Sequence, residues 1–285
     1  MLHIPLLLFA SLVPAAAQLH SGSSAPASAY SALSDDRSWK IFGGVPAREA
    51  QFPFMVFIYY QKTTGKKDVH MCGGTLLNER FVLTAAHCTD AFGSGRVMVG
   101  STTLDGPGQW SSIRRFMSHT GFPENPYLYH DIAIFEIDPV QLNYYVQPVR
   151  IVKRDAALLR KRKTTVIGFG TYNFTNMAPI TSSYLRVTNV ILFSHWECVE
   201  KKGEYISRSQ LCAGDRYKGT GPGDSGGPLL VSTRDGLVQI GITSHGSSDI
   251  DEMMTKQHEN PDVYVRVSKY CLWIAHKTEG EVNCQ

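Results

Sequence analysis

Beyond its first seventeen residues, this 285-residue chain carries its apolar residues in short runs separated by turn-forming residues. Phe54–Tyr60, Thr165–Phe169, Leu185–Leu192, Leu237–Thr243 and Val263–Val267 are each five to eight residues long, the length of a strand rather than a helix. A chain built this way buries its surface by pairing strands, so the expected fold class is all-β. One late segment departs from the pattern: over 268–277, Tyr270, Trp273 and Ile274 recur at helical spacing, which predicts a C-terminal α-helix. No internal repeat is visible.

The ends of the chain read differently. An apolar run from Ile4 to Pro14 followed by Ala15-Ala16-Ala17 has the form of a secretory signal, so residues 1–17 are read as a signal peptide, although no Lys or Arg precedes the run. The run is too short to span a membrane, and no later stretch is long enough to serve as an anchor. Residues 18–40, rich in Ser and Ala, read as a pro-segment ending at Trp39-Lys40. Removing residues 1–40 takes away Arg37 and Lys40 but also Asp35 and Asp36, so the formal net charge stays at +3. Such mild basicity argues against nucleic acid as the main partner, and the run Arg160-Lys161-Arg162-Lys163 reads as a solvated face. Six cysteines behind a secretory signal imply three disulfides in one of fifteen connectivities, and their spacing lacks the CxxC pattern of a zinc site. No metal or other cofactor is expected.

Chemistry concentrates at Gly223-Asp224-Ser225-Gly226-Gly227-Pro228, a serine held between glycines with an acid beside it. A serine hydroxyl is a weak nucleophile, so it needs a base to take its proton and free N–H groups to hold the oxyanion. The base candidate is His87 in Leu83-Thr84-Ala85-Ala86-His87-Cys88, and the carboxylate to orient it is Asp131, at the head of the alternating run His130 to Ile137. His130 competes as base, but neighbours along a strand point to opposite faces. If Asp131 faces the cleft, His130 does not.

These three sites, in the order His87, Asp131, Ser225, resemble the trypsin/chymotrypsin family of serine endopeptidases, and the resemblance covers Ile41 to about Lys277. It implies two packed antiparallel six-stranded β-barrels with a C-terminal helix, forming a serine protease domain over 41–285 with the barrel junction near 147–160. It also implies a secreted zymogen: cleavage after Lys40 frees the ammonium of Ile41 to pair with Asp224, shaping an oxyanion hole from the N–H groups of Gly223 and Ser225. The implied partners are protein or peptide substrates, an activating protease and protein protease inhibitors, with the enzyme a monomer. By the same resemblance Cys72 pairs with Cys88 and Cys198 with Cys212, leaving Cys271 for Cys284; a free or intermolecular Cys284 is the alternative for that last pair.

Departures from the family bear on specificity. Phe42 replaces the usual valine of the activation sequence, and Gly221, Thr164 and Val231 stand where cysteines are common. Loss of the staple at Gly221 predicts looser pocket walls. Ser244-His245-Gly246 replaces Ser-Trp-Gly on the strand that would pair with substrate backbone. Where trypsins carry an aspartate at the pocket base this chain has Gly219, and an acid, Asp262, replaces glycine on the opposite wall, an exchange resembling brachyurin-type collagenolytic proteases. It implies tolerance of both basic and apolar residues before the scissile bond. The alternative is a solvent-facing Asp262 and an apolar pocket. Asn173-Phe174-Thr175 is the one glycosylation sequon, expected in an exposed loop. Two other function classes are a catalytically silent binding module on the same fold and an esterase, whose Gly-x-Ser-x-Gly letters occur here without its chain order.

Overall fold

A computed structural model describes residues 41–63, 69–122, 127–203 and 206–285. The signal, the pro-segment and Lys40 lie outside the described residues. After a two-residue strand β1 (Val45–Pro46), six strands close the first barrel. They are β2 (Met55–Lys62), β3 (Val69–Leu76), β4 (Phe81–Thr84), β5 (Phe92–Val99), β6 (Gln109–Ser118) and β7 (Ala133–Ile137), ringed in the order β2-β3-β4-β7-β6-β5. A short β8 (Arg150–Ile151) lies on the crossing to the second half of the chain.

The second half contains β9 (Lys163–Gly168), a hairpin of β10 (Thr171–Thr175) and β11 (Ala178–Thr181), then β12 (Arg186–Phe193), β13 (Gln210–Gly214), β14 (Pro228–Thr233), β15 (Gly236–His245) and β16 (Asp262–Arg266). Because β9 pairs with both β12 and β14, the ring β9-β12-β13-β16-β15-β14 also closes, giving a second six-stranded antiparallel barrel. β1 pairs with the edge of β12, and β8 runs parallel to β15. The fold is all-β, as the short apolar runs predict.

Burial along β2 explains why its sequence does not alternate. Met55, Val56, Phe57 and Ile58 are all buried, because one face fills the barrel and the other is also covered. Phe57 packs edge-to-face on Phe169, just beyond β9 of the second barrel, with centroids 5.6 Å apart. One core cluster accordingly runs through both barrels, from Val56, Leu83 and Ile134 to Ile167, Leu230 and Ile242.

The C-terminal helix is shorter than the spacing predicts: α-helix spans Cys271–Lys277, preceded by a 3₁₀ turn over Val267–Tyr270. The Ser268 hydroxyl donates to Asp155 Oδ2 (2.7 Å), tying the first turn to the inter-barrel connection, and tightening to 3₁₀ at a helix start is common. Two further short helices, His195–Lys202 and Ile250–Thr255, were not expected from periodicity. In chain order these are α1 (His195–Lys202), α2 (Ile250–Thr255) and α3 (Cys271–Lys277). Asn173 differs too. It sits half-buried on β10, its Oδ1 accepting from Phe174 N (2.8 Å), because Asn176 and Met177, both at positive φ, make the tight turn of a hairpin where a loop was expected. Disulfides join Cys72 to Cys88, Cys198 to Cys212 and Cys271 to Cys284, with Cα separations of 6.3, 5.7 and 5.6 Å. Among the described residues no helix is long and apolar enough to cross a membrane.

Candidate active site

Sequence-distant residues meet because β4 and β7 are paired neighbours. Thr84 lies opposite Ala133, so the 3₁₀ turn Ala86–Thr89 that follows β4 comes beside Asp131, just ahead of β7. His87 Nδ1 lies 2.8 Å from Asp131 Oδ2, and the backbone N–H of His87 donates to Asp131 Oδ1 (2.8 Å). The Ser244 hydroxyl adds a third bond to Oδ2 (2.6 Å), which fixes the fully buried carboxylate in one orientation. Burial works to raise the Asp131 carboxyl, but the His87 and Ser244 bonds outweigh it and hold it below its ordinary value. Burial likewise works to lower His87, yet its bond to Asp131 and that residue's charge leave it raised. His130 turns away: at φ 60° its ring stacks on His119 (4.5 Å) and bonds the Tyr270 hydroxyl (3.0 Å).

Ser225 lies on the loop between β13 and β14, pressed onto the first barrel. Gly73 N donates to Ser225 O (2.7 Å), Gly226 sits at φ 80°, and a Cβ on Gly226 would lie 2.1 Å from Thr84 Oγ1. No other residue fits at 226, because both the left-handed backbone and the approach to Thr84 exclude a side chain. Ser225 Oγ and His87 Nε2 have no hydrogen-bond partner among the described residues, a looseness usual before substrate arrives. The N–H groups of Gly223 and Ser225 make no backbone hydrogen bond among the described residues, while that of Asp224 is taken by Gly221 O (3.0 Å).

Asp224 points inward. Its carboxylate accepts from Gly170 N (2.8 Å) and Gly221 N (3.0 Å), and it is pushed up to about 7 by burial, which those two bonds only partly offset. Among the described residues no cationic group is ion-paired with it. The Ile41 side chain is fully buried among Val166, Leu229 and Tyr264, at the head of the described chain.

Beside Ser225 opens a cavity of about 170 Å³ lined by residues including Thr220, Gly221, Ser244, His245, Gly246 and Asp262. Asp262 does not face solvent. It is buried, its Oδ2 accepts from Thr220 N (2.9 Å) and Thr220 Oγ1 (2.6 Å), and burial raises it to about 7. His245 is lowered to about 4, first by burial and then by the charge of Lys202, so it is neutral near pH 7. Gly219 packs against Gln257, whose Oε1 lies where a Cβ on residue 219 would stand. Gln257 is buried, its amide donating to Thr220 O (2.9 Å) and Met253 O (3.0 Å). This residue was missed in the sequence, where it sits in the polar run Thr255 to Asn260 and nothing distinguishes it.

The wall without a disulfide is braced by other means. Ser247 Oγ and Asn260 Nδ2 both donate to Glu252 Oε2 (2.7 and 2.8 Å), and Lys202 Nζ donates to Asn260 Oδ1 (2.8 Å). The ring of Phe42 fills the space beside Gly221, 2.9 Å from where a Cβ would lie. Among the described residues one cluster of possible metal ligands occurs, Cys72, His87 and Cys88, and it does not suit a metal because its two sulfurs are bonded to each other.

Two closed β-barrels with a serine, a histidine and a buried aspartate at their junction define the chymotrypsin-like class of serine hydrolases. Comparison with known proteins narrows this. The description of the trypsin family matches residues 41–274. Dog (Canis lupus familiaris) chymotrypsin-like elastase family member 1 is 31% identical over 82% of this chain and 91% of its own length. Cattle (Bos taurus) duodenase-1 is 33% identical over 85% of this chain and 93% of its own. Among solved structures, HL collagenase superposes with a TM-score of 0.70 at 25% identity, covering 84% of this chain and 98% of its own. Mouse neuropsin, a serine protease, superposes at 0.69 and 27% identity, covering 82% and 98%. The chain belongs to the trypsin family and is a serine endopeptidase.

Proposed function

We propose that this protein is a secreted zymogen, activated by cleavage after Lys40, that hydrolyses peptide bonds next to basic and apolar residues. The observation that carries the reading is a pair of buried carboxylates, one within the nucleophile loop and one at the start of β16. One, Asp224, has no cationic partner among the described residues; the other, Asp262, lines the cavity beside Ser225.

In this reading Ser225 Oγ attacks the substrate carbonyl and its proton passes to His87 Nε2. The carbonyl oxygen, now carrying the negative charge, is held by the N–H groups of Gly223 and Ser225. His87 gives the proton to the departing amine, leaving an acyl-enzyme on Ser225. A water then attacks the acyl carbon, its proton going to His87, and Ser225 leaves with that proton as the acid product departs. Asp131 holds the imidazole in the required tautomer and stabilises it when charged.

Activation follows from the electrostatics of Asp224. An unpartnered buried carboxylate is costly, and an ammonium at Ile41 would relieve that cost while fixing the backbone of 223–225. A Lys40→Gln chain that stays uncut is expected to be inactive; full activity in it would overturn the zymogen reading.

Specificity rests on Asp262, whose side chain is fixed by Thr220. A cationic side chain is favoured when Asp262 is ionised, and an apolar one is tolerated when it is protonated. Since the folded carboxyl is raised to about 7, the ratio of kcat/KM for Arg over Leu peptides is expected to rise from pH 6 to pH 8. Taking the ratio cancels the titration of His87. An unchanged ratio, or equal Arg cleavage by Asp262→Gly, would sink the acidic-pocket reading. The names elastase and collagenase borne by relatives suit a pocket that accepts apolar residues. Asn173 is proposed as a glycosylation site, to be checked by a mass shift on glycosidase treatment.

A further inference from the structure

Away from the active-site cleft, cations from three parts of the chain gather around the start of α1. A small cavity there is lined by Leu159, His195, Arg208, Gln210 and Arg266, among others. Arg160 follows Leu159, Arg162 and Lys163 continue into β9, and the Arg162 carbonyl accepts from Leu192 N (2.7 Å) on the same cavity wall. Arg154 joins them through its neighbour Asp155, which binds Arg266 (2.8 and 2.5 Å) and Ser268.

What matters is which of these charges are already used. Asp155 is consumed by Arg266, and Glu197 by Arg162 (2.9 Å). Arg154, Arg160, Lys163 and Arg208 are exposed and form no ion pair or side-chain hydrogen bond among the described residues. Against them α1 brings one carboxylate that is unpaired among the described residues, Glu200. The field is felt locally: burial first, then the charge of Arg208, lowers His195. For a chain of net charge +3 this is a concentrated excess, and unpaired guanidiniums present planar forks that match oxyanions bidentately.

We propose that this surface is a docking site for a linear sulfated polysaccharide. The sulfate class is favoured over nucleic acid because the chain is held by three disulfides, the mark of an oxidising, extracellular setting where sulfated glycans are the abundant linear polyanions. Trp196, 78% exposed on α1 beside His195, offers a flat apolar face for a sugar ring. The site lies on the α1 side of the second barrel, and its occupation leaves the Ser225 cavity open.

The test uses the full chain carrying Ser225→Ala, so that its result does not depend on proteolytic activity, with heparin as probe. The wild-type surface is expected to bind heparin with an affinity that falls steeply with salt, as release of counterions requires. Arg154→Ser/Arg160→Ser/Lys163→Ser should weaken binding at least tenfold and make the salt dependence shallower. A control with the same charge change elsewhere, Arg48→Ser/Arg216→Ser/Lys277→Ser, should weaken it less than twofold. The patch variant should melt like the parent chain, since its three side chains have no ion pair or side-chain hydrogen bond to lose among the described residues. Equal loss in both triple variants would reduce the effect to net charge and overturn the proposal. So would the absence of heparin binding at low salt, or tighter binding of a thymidine oligonucleotide or of phosphatidylserine vesicles than of heparin.

Discussion

Ser244 shows how much a single hydroxyl can decide. It donates to the same Asp131 oxygen that faces His87 Nδ1, and so shares the carboxylate with the imidazole. Ser244→Ala is expected to lower kcat/KM about tenfold, roughly 1.4 kcal/mol. Its acid limb should move to higher pH, because a carboxylate relieved of one donor holds the imidazolium proton more firmly; an unmoved limb would reduce Ser244 to a packing role. Asp224 supports a second prediction. Its folded carboxyl is raised from 3.8 to about 7, so the uncleaved folded chain holds a proton that the unfolded chain has released. The contribution of Asp224 to stability is therefore fullest below pH 3.8 and falls as pH climbs toward 7, by an amount on the order of a few kcal/mol. Denaturant melts of the uncut Ser225→Ala chain should show a decline between pH 5 and 8 that Asp224→Asn reduces, with the remainder belonging to Asp262, which shifts in the same direction.

At the scale of elements, legibility depended on how local the signal was. The barrel strands were readable because burial on a pleated sheet repeats over five to eight residues, and His87, Asp131 and Ser225 because each sits in a distinctive local string. α1 escaped because four of its eight residues, Glu197, Glu200, Lys201 and Lys202, are charged and leave too few apolar positions for a stripe, although its Ser194–Glu197 capping box was present to be read. Gln257 escaped for a different reason: its role comes from a contact across the fold with Gly219 and Thr220. Two departures that read as separate in the sequence, Phe42 and Gly221, are one event in the structure, with the larger ring occupying the space a side chain at 221 would need. Gly221→Ala should therefore destabilise by about 1–3 kcal/mol. Adding Phe42→Val should recover part of that loss but not all, because the backbone oxygen of Thr171 also stands 2.7 Å from the new Cβ. A double-mutant cycle by chemical denaturation measures the coupling, and strict additivity would mean that the two departures are unrelated.

The molecule as a whole is held together at two places, the shared core and the C-terminal tail. Phe57 against Phe169 carries the core across the barrel boundary, so the barrels are expected to unfold in one transition. The tail acts on the connection between them. Gln285 exchanges backbone hydrogen bonds with the segment Ile151 to Lys153, accepting from Lys153 N (2.8 Å) and donating to Ile151 O (3.0 Å), while Cys284 is bonded to Cys271 on α3. The third disulfide thus anchors a strand-like tail onto β8, which itself pairs with β15. Closing a loop of 13 residues is worth about 3 kcal/mol in the chain-entropy account. For a domain of this size that corresponds to roughly 6–12 °C in Tm. Cys271→Ser/Cys284→Ser should melt that much lower, still in one step, with kcat/KM toward a small peptide unchanged because neither sulfur touches the Ser225 cavity. A melt that splits in two would show that the tail, rather than the aromatic contact between Phe57 and Phe169, is what makes the barrels unfold together.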